Sequence, residues 1–370
     1  MRVVHVIPSV AERSGGPATA IIPMCRALMQ QGIEVLLLST ADQEAVQEYK
    51  GVPAIFFPPQ LGASFKYSRP LSSWLSSNIK NFDLAHIHAV FNHSSVAASH
   101  ACRNAGVPYI IRPLGTLDPW SMAQKPLRKR LFWHLSAKGM LHRAAAVHYT
   151  SEVEKLSTER LLGLNHGKVV ALGIDANNSN GKHASLFPQP YVLVLSRLHP
   201  KKGLDVLIEA FLSLIKSDRF AHWRLVLAGD GPSDYVSKLK MAASAQPDRI
   251  VFAGWLDEET KHVALSGASL LALPSHQENF GLCVMEALSH SVPVLISPNV
   301  NLAAEIVSAN AGWVAAVDKH ALAGKLAEAL ADHDELAKRG RSGKQFSQKY
   351  SWENVGMGLI ALYEEILTQS

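Results

Sequence analysis

Two runs of short apolar strands alternating with helices, parted by one polar stretch, constrain this chain more than any other feature. In the first run Val3–Ile7, Glu34–Ser39, Leu84–His88, Pro108–Ile111 and Ala145–Tyr149 read as strands, and Pro17–Gln30, Ser94–Asn104 and Glu152–Leu162 as helices. Residues 176–190 are polar, rich in Asn and hold two prolines, so they read as a linker. The alternation then restarts with strands Tyr191–Leu195, Trp223–Ala228, Ile250–Phe252, Leu270–Leu273 and Val292–Ile296, and a helix at Leu204–Leu214. Strands apolar on both faces belong in parallel sheets covered by helices. The expected fold class is α/β, with two doubly wound, Rossmann-like domains. A chain of 370 residues has the length for two cores. Such units bind ligands in the crevice at the carboxyl ends of their strands.

The loops at those ends carry the chemistry. Glu278 and Glu286 lie eight residues apart across a turn from the Leu270 strand into a helix read as Phe280–Ser289. Eight residues of helical rise span about 12 Å, the reach of a nucleotide diphospho-sugar. A helix N-terminus between the two acids suits a diphosphate. Ser196-Arg197-Leu198-His199-Pro200-Lys201-Lys202-Gly203 sets two fixed cations beside a glycine turn, a clamp for the same group. Ser14-Gly15-Gly16-Pro17 opens the first helix, and its glycines admit a ligand close to the backbone. Gly229-Asp230-Gly231-Pro232 reads as a structural turn, and Trp255 as either a packing residue or the border of a base. His86 and His88 share one face of their strand, so at least one reads as scaffold. Asp332-His333-Asp334 has the form of a metal-binding pair of acids but sits in a polar helix away from any strand end, and no metal site is read.

Charge is uneven. Residues 1–175 hold 18 Lys and Arg against 11 Asp and Glu, and the remainder 18 against 20. No acid lies between Asp118 and Glu152, where Lys125, Arg128, Lys129 and Arg130 are interleaved with Trp120, Leu127, Phe132 and Trp133. That reads as a basic amphipathic helix suited to an anionic membrane surface, with a solvated helix face as the plainer alternative. No nucleic-acid motif accompanies the charge. Cys25, Cys102 and Cys283 are isolated, without metal or disulfide spacing, which fits a reducing, cytoplasmic setting. Neither a leader nor a membrane span is read.

Taken together, Ser-Gly-Gly-Pro, Ser-Arg-x4-Lys-Gly, Ala-Gly-Asp-Gly-Pro, Phe-Ala-Gly-Trp and Pro-Ser-x2-Glu-x-Phe-Gly-Leu-x3-Glu-Ala-Leu, in this order, resemble the retaining glycosyltransferases of family 4. The resemblance covers most of the chain and is strongest over residues 191–315. It implies the GT-B fold, two domains facing one another across a cleft, with the last helix from Tyr350 onward crossing back to the N-terminal domain. The N-terminal, acceptor-side domain would then be 1–175 plus 351–370, and the nucleotide-sugar domain 191–350. By the same resemblance Glu286 holds the ribose, Glu278 faces the sugar hydroxyls, and Asn279, Phe280 and Gly281 present backbone N–H groups. Arg197 and Lys202 bind the diphosphate, and Gly15 and Gly16 abut it from the other domain. The implied reaction is metal-independent and cofactor-free: a hexose passes, with retained configuration, from a UDP-sugar, UDP-glucose first, to a glycan or polyprenyl-diphosphate-linked sugar in polysaccharide biosynthesis at the inner face of the plasma membrane. The family's donor-side His is replaced near Gly115, which leaves the Gly115 N–H, Thr116, Asp118, or His93 from a neighbouring loop. Ser291 stands where a Gly is common. Two rival readings are a sugar-nucleotide epimerase on the same scaffold and a non-catalytic sugar-nucleotide-binding protein.

Overall fold

The computed structural model describes residues 1–11, 15–41, 47–62, 65–123, 126–175, 185–188 and 190–369. Most of the expected linker, together with Ser14 and Lys125, lies outside them. The chain divides into two compact units, Met1–Gly173 with Trp352–Ser370, and Ile174–Ser351.

The first unit holds strands β1 (Arg2–Ile7), β2 (Glu34–Thr40), β3 (Glu48–Tyr49), β4 (Val52–Phe57), β5 (Leu84–His88), β6 (Tyr109–Arg112), β7 (Ala146–Tyr149) and β8 (Gly167–Val169). They form one sheet in the order β3-β4-β2-β1-β5-β6-β7-β8, in which only the β3–β4 pairing is antiparallel. Every residue of β5, β6 and β7 is buried, as helices on both faces require. One face packs Val4, Val6, Ala85, Ile87 and Val147 against Leu71, Leu75, Ala98 and Cys102 of two helices. On the other face, helix Gly16–Gln30 packs against the last helix, Trp352–Gln369. Close approach is built in there, since a Cβ on Gly356 would lie 3.3 Å from that of Ala27, and one on Gly173 would lie 2.3 Å from the Trp352 indole.

In the second unit β9 (Tyr191–Leu195), β10 (Arg224–Ala228), β11 (Ile250–Gly254), β12 (Leu270–Leu273), β13 (Val294–Ile296) and β14 (Gly312–Val314) form an all-parallel sheet in the order β11-β10-β9-β12-β13-β14. Its core includes Val192, Val194, Leu207, Phe211, Trp223, Leu225 and Leu227. β9 neighbours β10 on one side and β12 on the other, so the order reverses there and opens a crevice at its carboxyl end.

One expectation is corrected. The helix after β12 begins at Leu282, not Phe280, because Gly281 caps it with φ 73° and Glu278 is bridged to Val300 as extended chain. The two acids are therefore not separated by continuous helical rise. The expected basic helix is present over residues 126–142, where a π-helical turn, Trp133–Ala137, lies within the continuous helix, and a short helix, Pro119–Ala123, precedes it. Asp332 is an N-cap whose carboxylate accepts the N–H groups of Asp334 and Glu335, each at 3.0 Å, which accounts for that acid pair structurally.

Candidate active site

Four loops at the carboxyl ends of β9 to β12 build the site in the second unit. After β9 the chain is zipped to the turn after β10, with Ser196 N–H donating to Ala228 O at 3.1 Å and Leu198 N–H to Asp230 O at 2.8 Å. Glycine is required there, because a Cβ on Gly229 or Gly231 would stand 1.9 Å from the carbonyl oxygen of Ser196 or Leu198. The Gly-Asp-Gly turn thus positions the loop that bears Arg197, an exposed side chain. His199 then caps the short turn Pro200–Lys202, its ring accepting from Lys201 N–H at 3.1 Å. Gly203, with φ +63°, lets the chain press on the loop after β12, where a Cβ would meet Pro274 O at 2.4 Å. His276 N–H donates back to Lys201 O at 2.8 Å.

These contacts deliver Lys202 to Glu278, 76 residues later, as an ion pair. Glu278 is fixed through its backbone, donating to Asn299 O at 3.0 Å and accepting from Asn301 N–H at 3.1 Å. Burial acts to raise its carboxyl pKa, but Lys202, Lys201 and Arg197 outweigh it and hold the group below its usual range. Asn279 Oδ1 accepts from Asn301 Nδ2 at 3.2 Å, and Phe280 is buried with its ring 5.9 Å from that of Tyr350. The helix that Gly281 opens has no side-chain hydrogen bond at its cap, so the N–H groups of its first turn face this loop.

Glu286 follows one turn along that helix and pairs with Lys261 at 2.8 Å. Lys261 also pairs with Glu258 at 2.9 Å. Burial works to lower the Lys261 pKa, yet the two carboxylates prevail and raise it. Sequence reading missed Lys261, whose single signal was a cation shortly after Trp255 on a polar helix. Trp255 is 38% exposed beside Gly254, and the Gly254 carbonyl accepts Gly229 N–H at 2.7 Å. A cavity of about 580 Å³ lies among these strand ends, lined by Leu198, Asp230, Lys240, Phe252 and Gly254 among others. The turn read as purely structural therefore also walls a cavity.

The first unit presents Gly15 as the N-cap of a 15-residue helix, at φ 95° and without a side-chain cap, with Gly16 exposed after it. The stand-ins for the donor-side His are committed elsewhere. Gly115 N–H donates to buried Glu154 Oε1 at 3.0 Å, so that N–H is not available to a sugar. Thr116 Oγ1 donates to Pro113 O at 2.6 Å, and buried Asp118 Oδ1 accepts from Ser121 N–H at 2.7 Å. His93 accepts from Ser68 N–H at 3.2 Å, shares a hydrogen bond with Ser72 Oγ at 3.3 Å and packs on Tyr67, so it holds its own loop in place. Of the basic candidates, Lys129 donates to Ser121 O at 2.5 Å and lies over the Phe91 ring, while Arg130 is exposed. The Arg128 side chain is outside the described residues.

Sequence reading placed His86 and His88 on one strand face but missed that His5 and His148 join them in a buried array on that face of the sheet, beside Arg112. His5 bonds His88 at 3.0 Å, His148 bonds His86 at 3.1 Å, and His86 meets the Tyr363 hydroxyl at 2.7 Å. Among the described residues, His5, His86 and His88 also have ring nitrogens within 4.8 Å of one another, the spacing of metal ligands, with the Arg112 charge nearby.

The comparisons follow this division. A model described as glycosyl transferase 4-like domain matches residues 15–174, and one for glycosyl transferases group 1 matches residues 177–346. The GDP-mannose:cellobiosyl-diphosphopolyprenol alpha-mannosyltransferase of Xanthomonas oryzae pv. oryzae is 23% identical over 99% of this chain and 97% of its own. Sucrose-phosphate synthase from Thermosynechococcus elongatus superposes with a TM-score of 0.81 at 20% identity, covering 100% of both chains. Anabaena HepE in complex with UDP and glucose superposes with a TM-score of 0.79 at 21% identity, over 99% of this chain and 100% of that one. Two glycosyltransferase family models that between them span nearly all of both units, and full-length agreement in fold, make this chain a glycosyltransferase with the GT-B fold.

Proposed function

We propose that the enzyme moves a hexose, with retained configuration, from a UDP-sugar to a glycan or polyprenyl-diphosphate-linked sugar in cytoplasmic polysaccharide biosynthesis. The observation that carries this reading is the pairing of Lys202 with Glu278, which joins a basic and an acidic loop into one site. A bound diphosphate draws the charge of Lys202 and Arg197, and Glu278 is then left to accept from the sugar hydroxyls. Glu286, oriented by Lys261, takes the ribose hydroxyls. In the transfer, the bond from the anomeric carbon to the diphosphate oxygen breaks and one to the acceptor oxygen forms. The acceptor proton passes to the departing diphosphate, whose charge the two cations and the open helix end stabilise without requiring a metal. A lipid-linked acceptor is supported by the full-length relative, whose name states a diphosphopolyprenol acceptor.

Melting temperature against a panel of nucleotide sugars tests the donor. A rise with UDP-sugars is expected. A rise with GDP-sugars alone replaces the uridine, and no rise with any of them overturns the reading. Arg197→Ala should cost about 100-fold or more in turnover with little loss of melting temperature, and Lys202→Ala as much in turnover with a lower melting temperature, because it leaves the Glu278 carboxylate unpaired. Glu286→Ala should weaken binding of UDP and UDP-sugar alike.

A further inference from the structure

Three leucines at intervals of four, Leu127, Leu131 and Leu135, stand 83%, 61% and 74% exposed. Two lie on helix Pro126–Phe132 and the third in the π-helical turn that continues it. Helix Glu152–Leu162 adds Val153, Leu156 and Leu161 at 48%, 64% and 51%. A cavity of about 320 Å³ lies between the two helices, lined by Met122, Leu127, Arg130, Trp133 and Leu162. Its lining is apolar apart from one guanidinium. Exposed leucines along one helix, beside an apolar cavity, mark a docking site rather than ordinary exposure.

Charge identifies the occupant. The stretch from Asp118 to Glu152 holds no acid between its ends, and Arg130, Lys138 and Arg143 are all exposed. A second copy docked through the same face would set these cations against one another. An anionic bilayer neutralises them while accepting the leucines, the arrangement by which amphipathic helices lie in an interface. We propose that this face docks the protein on an anionic lipid bilayer, with one hydrocarbon chain entering the cavity beside Trp133 and a lipid phosphate meeting Arg130. The proposal concerns binding, not transfer, and stands apart from the donor reading.

Co-sedimentation of the whole protein with phosphatidylglycerol-containing vesicles, against pure phosphatidylcholine, tests it. Binding to the anionic vesicles alone is expected. Replacing Leu127, Leu131 and Leu135 with Gln together should lower that binding about tenfold or more. Arg130→Gln with Lys138→Gln should lower it about tenfold at low ionic strength and less in high salt. Vesicles with brominated acyl chains should quench tryptophan emission, and Trp133→Phe should remove most of the quenching while binding persists. All variants should keep the wild-type melting temperature and its rise with nucleotide sugar, so failure here is distinct from failure of the donor reading. Equal binding of the triple Gln variant and the wild type overturns the proposal, as does equal binding to neutral and anionic vesicles. A dimer that the Gln substitutions abolish, without vesicle binding, assigns the face to a second copy and also overturns it.

Discussion

At the scale of single residues, the site depends on glycines as much as on charges. Gly229 and Gly231 lie against carbonyl oxygens of the Arg197 loop with no room for a methyl group. Gly231→Ala must displace the Leu198 carbonyl, at a cost of about 1–3 kcal/mol. Denaturant unfolding should show that loss, and turnover should fall further because Arg197 moves with the loop. Unchanged unfolding and turnover would show that the contact is slack. Glu154 acts similarly in the first unit. It accepts from Gly115 N–H at 3.0 Å and from Thr150 N–H and Oγ1 at 2.9 and 3.0 Å, while Leu114 and Gly115 both keep positive φ. In the sequence Glu154 was one more acid in a first helical turn. Thr150 is a local partner, but Gly115 comes from a loop 39 residues away, which no local pattern reveals.

At the scale of elements, the histidine face of the first sheet makes the fold sensitive to acid. Burial, aided by Arg112, lowers His5 and His148 to about 3, and burial with the neighbouring charges takes His86 and His88 well below 6.5. Unfolded histidines take up protons near pH 6.5, whereas these stay neutral when folded. The unfolded state therefore binds more protons from about pH 6.5 down toward pH 3, and stability falls as pH falls through that window. Each histidine contributes about 1.4 kcal/mol per pH unit, and none above about pH 7. Calorimetry between pH 8 and 5 should show the first unit's transition flat at first and then falling steeply below pH 6.5. A transition unmoved at pH 5 would refute the neutral array. The period-two pattern placed His86 and His88 on one face. That His5 and His148 join them depends on which strands are neighbours, and strand order is not local information. The same limit explains β4, which the sequence reading left unassigned and whose Pro53 faces Glu48 in the short antiparallel pairing with β3.

At the scale of the whole molecule, the chain completes the first unit with its own last 19 residues. Val355, Leu359, Leu362, Tyr363 and Ile366 are buried on that helix, and Tyr363 reaches His86. At about 1.5–3 kcal/mol per buried side chain, their loss rivals the 5–15 kcal/mol that stabilises a typical domain. A chain ending at Ser351 should lack the first unit's cooperative transition in calorimetry while the second unit's remains. Two intact transitions would show that the helix is dispensable.

By itself the sequence determined the class of fold, the order of most strands and helices, and the residue types at the loops of the candidate site. Periodicity, glycine turns and adjacent charges are properties of neighbours in the chain. Only the tertiary structure decided that Lys202 meets Glu278, that Lys261 holds Glu286, that Glu154 occupies the Gly115 N–H, and that the basic helix turns its leucines outward. Each of these follows from contacts between segments tens of residues apart, and burial and partner choice are set there by packing rather than by local preference.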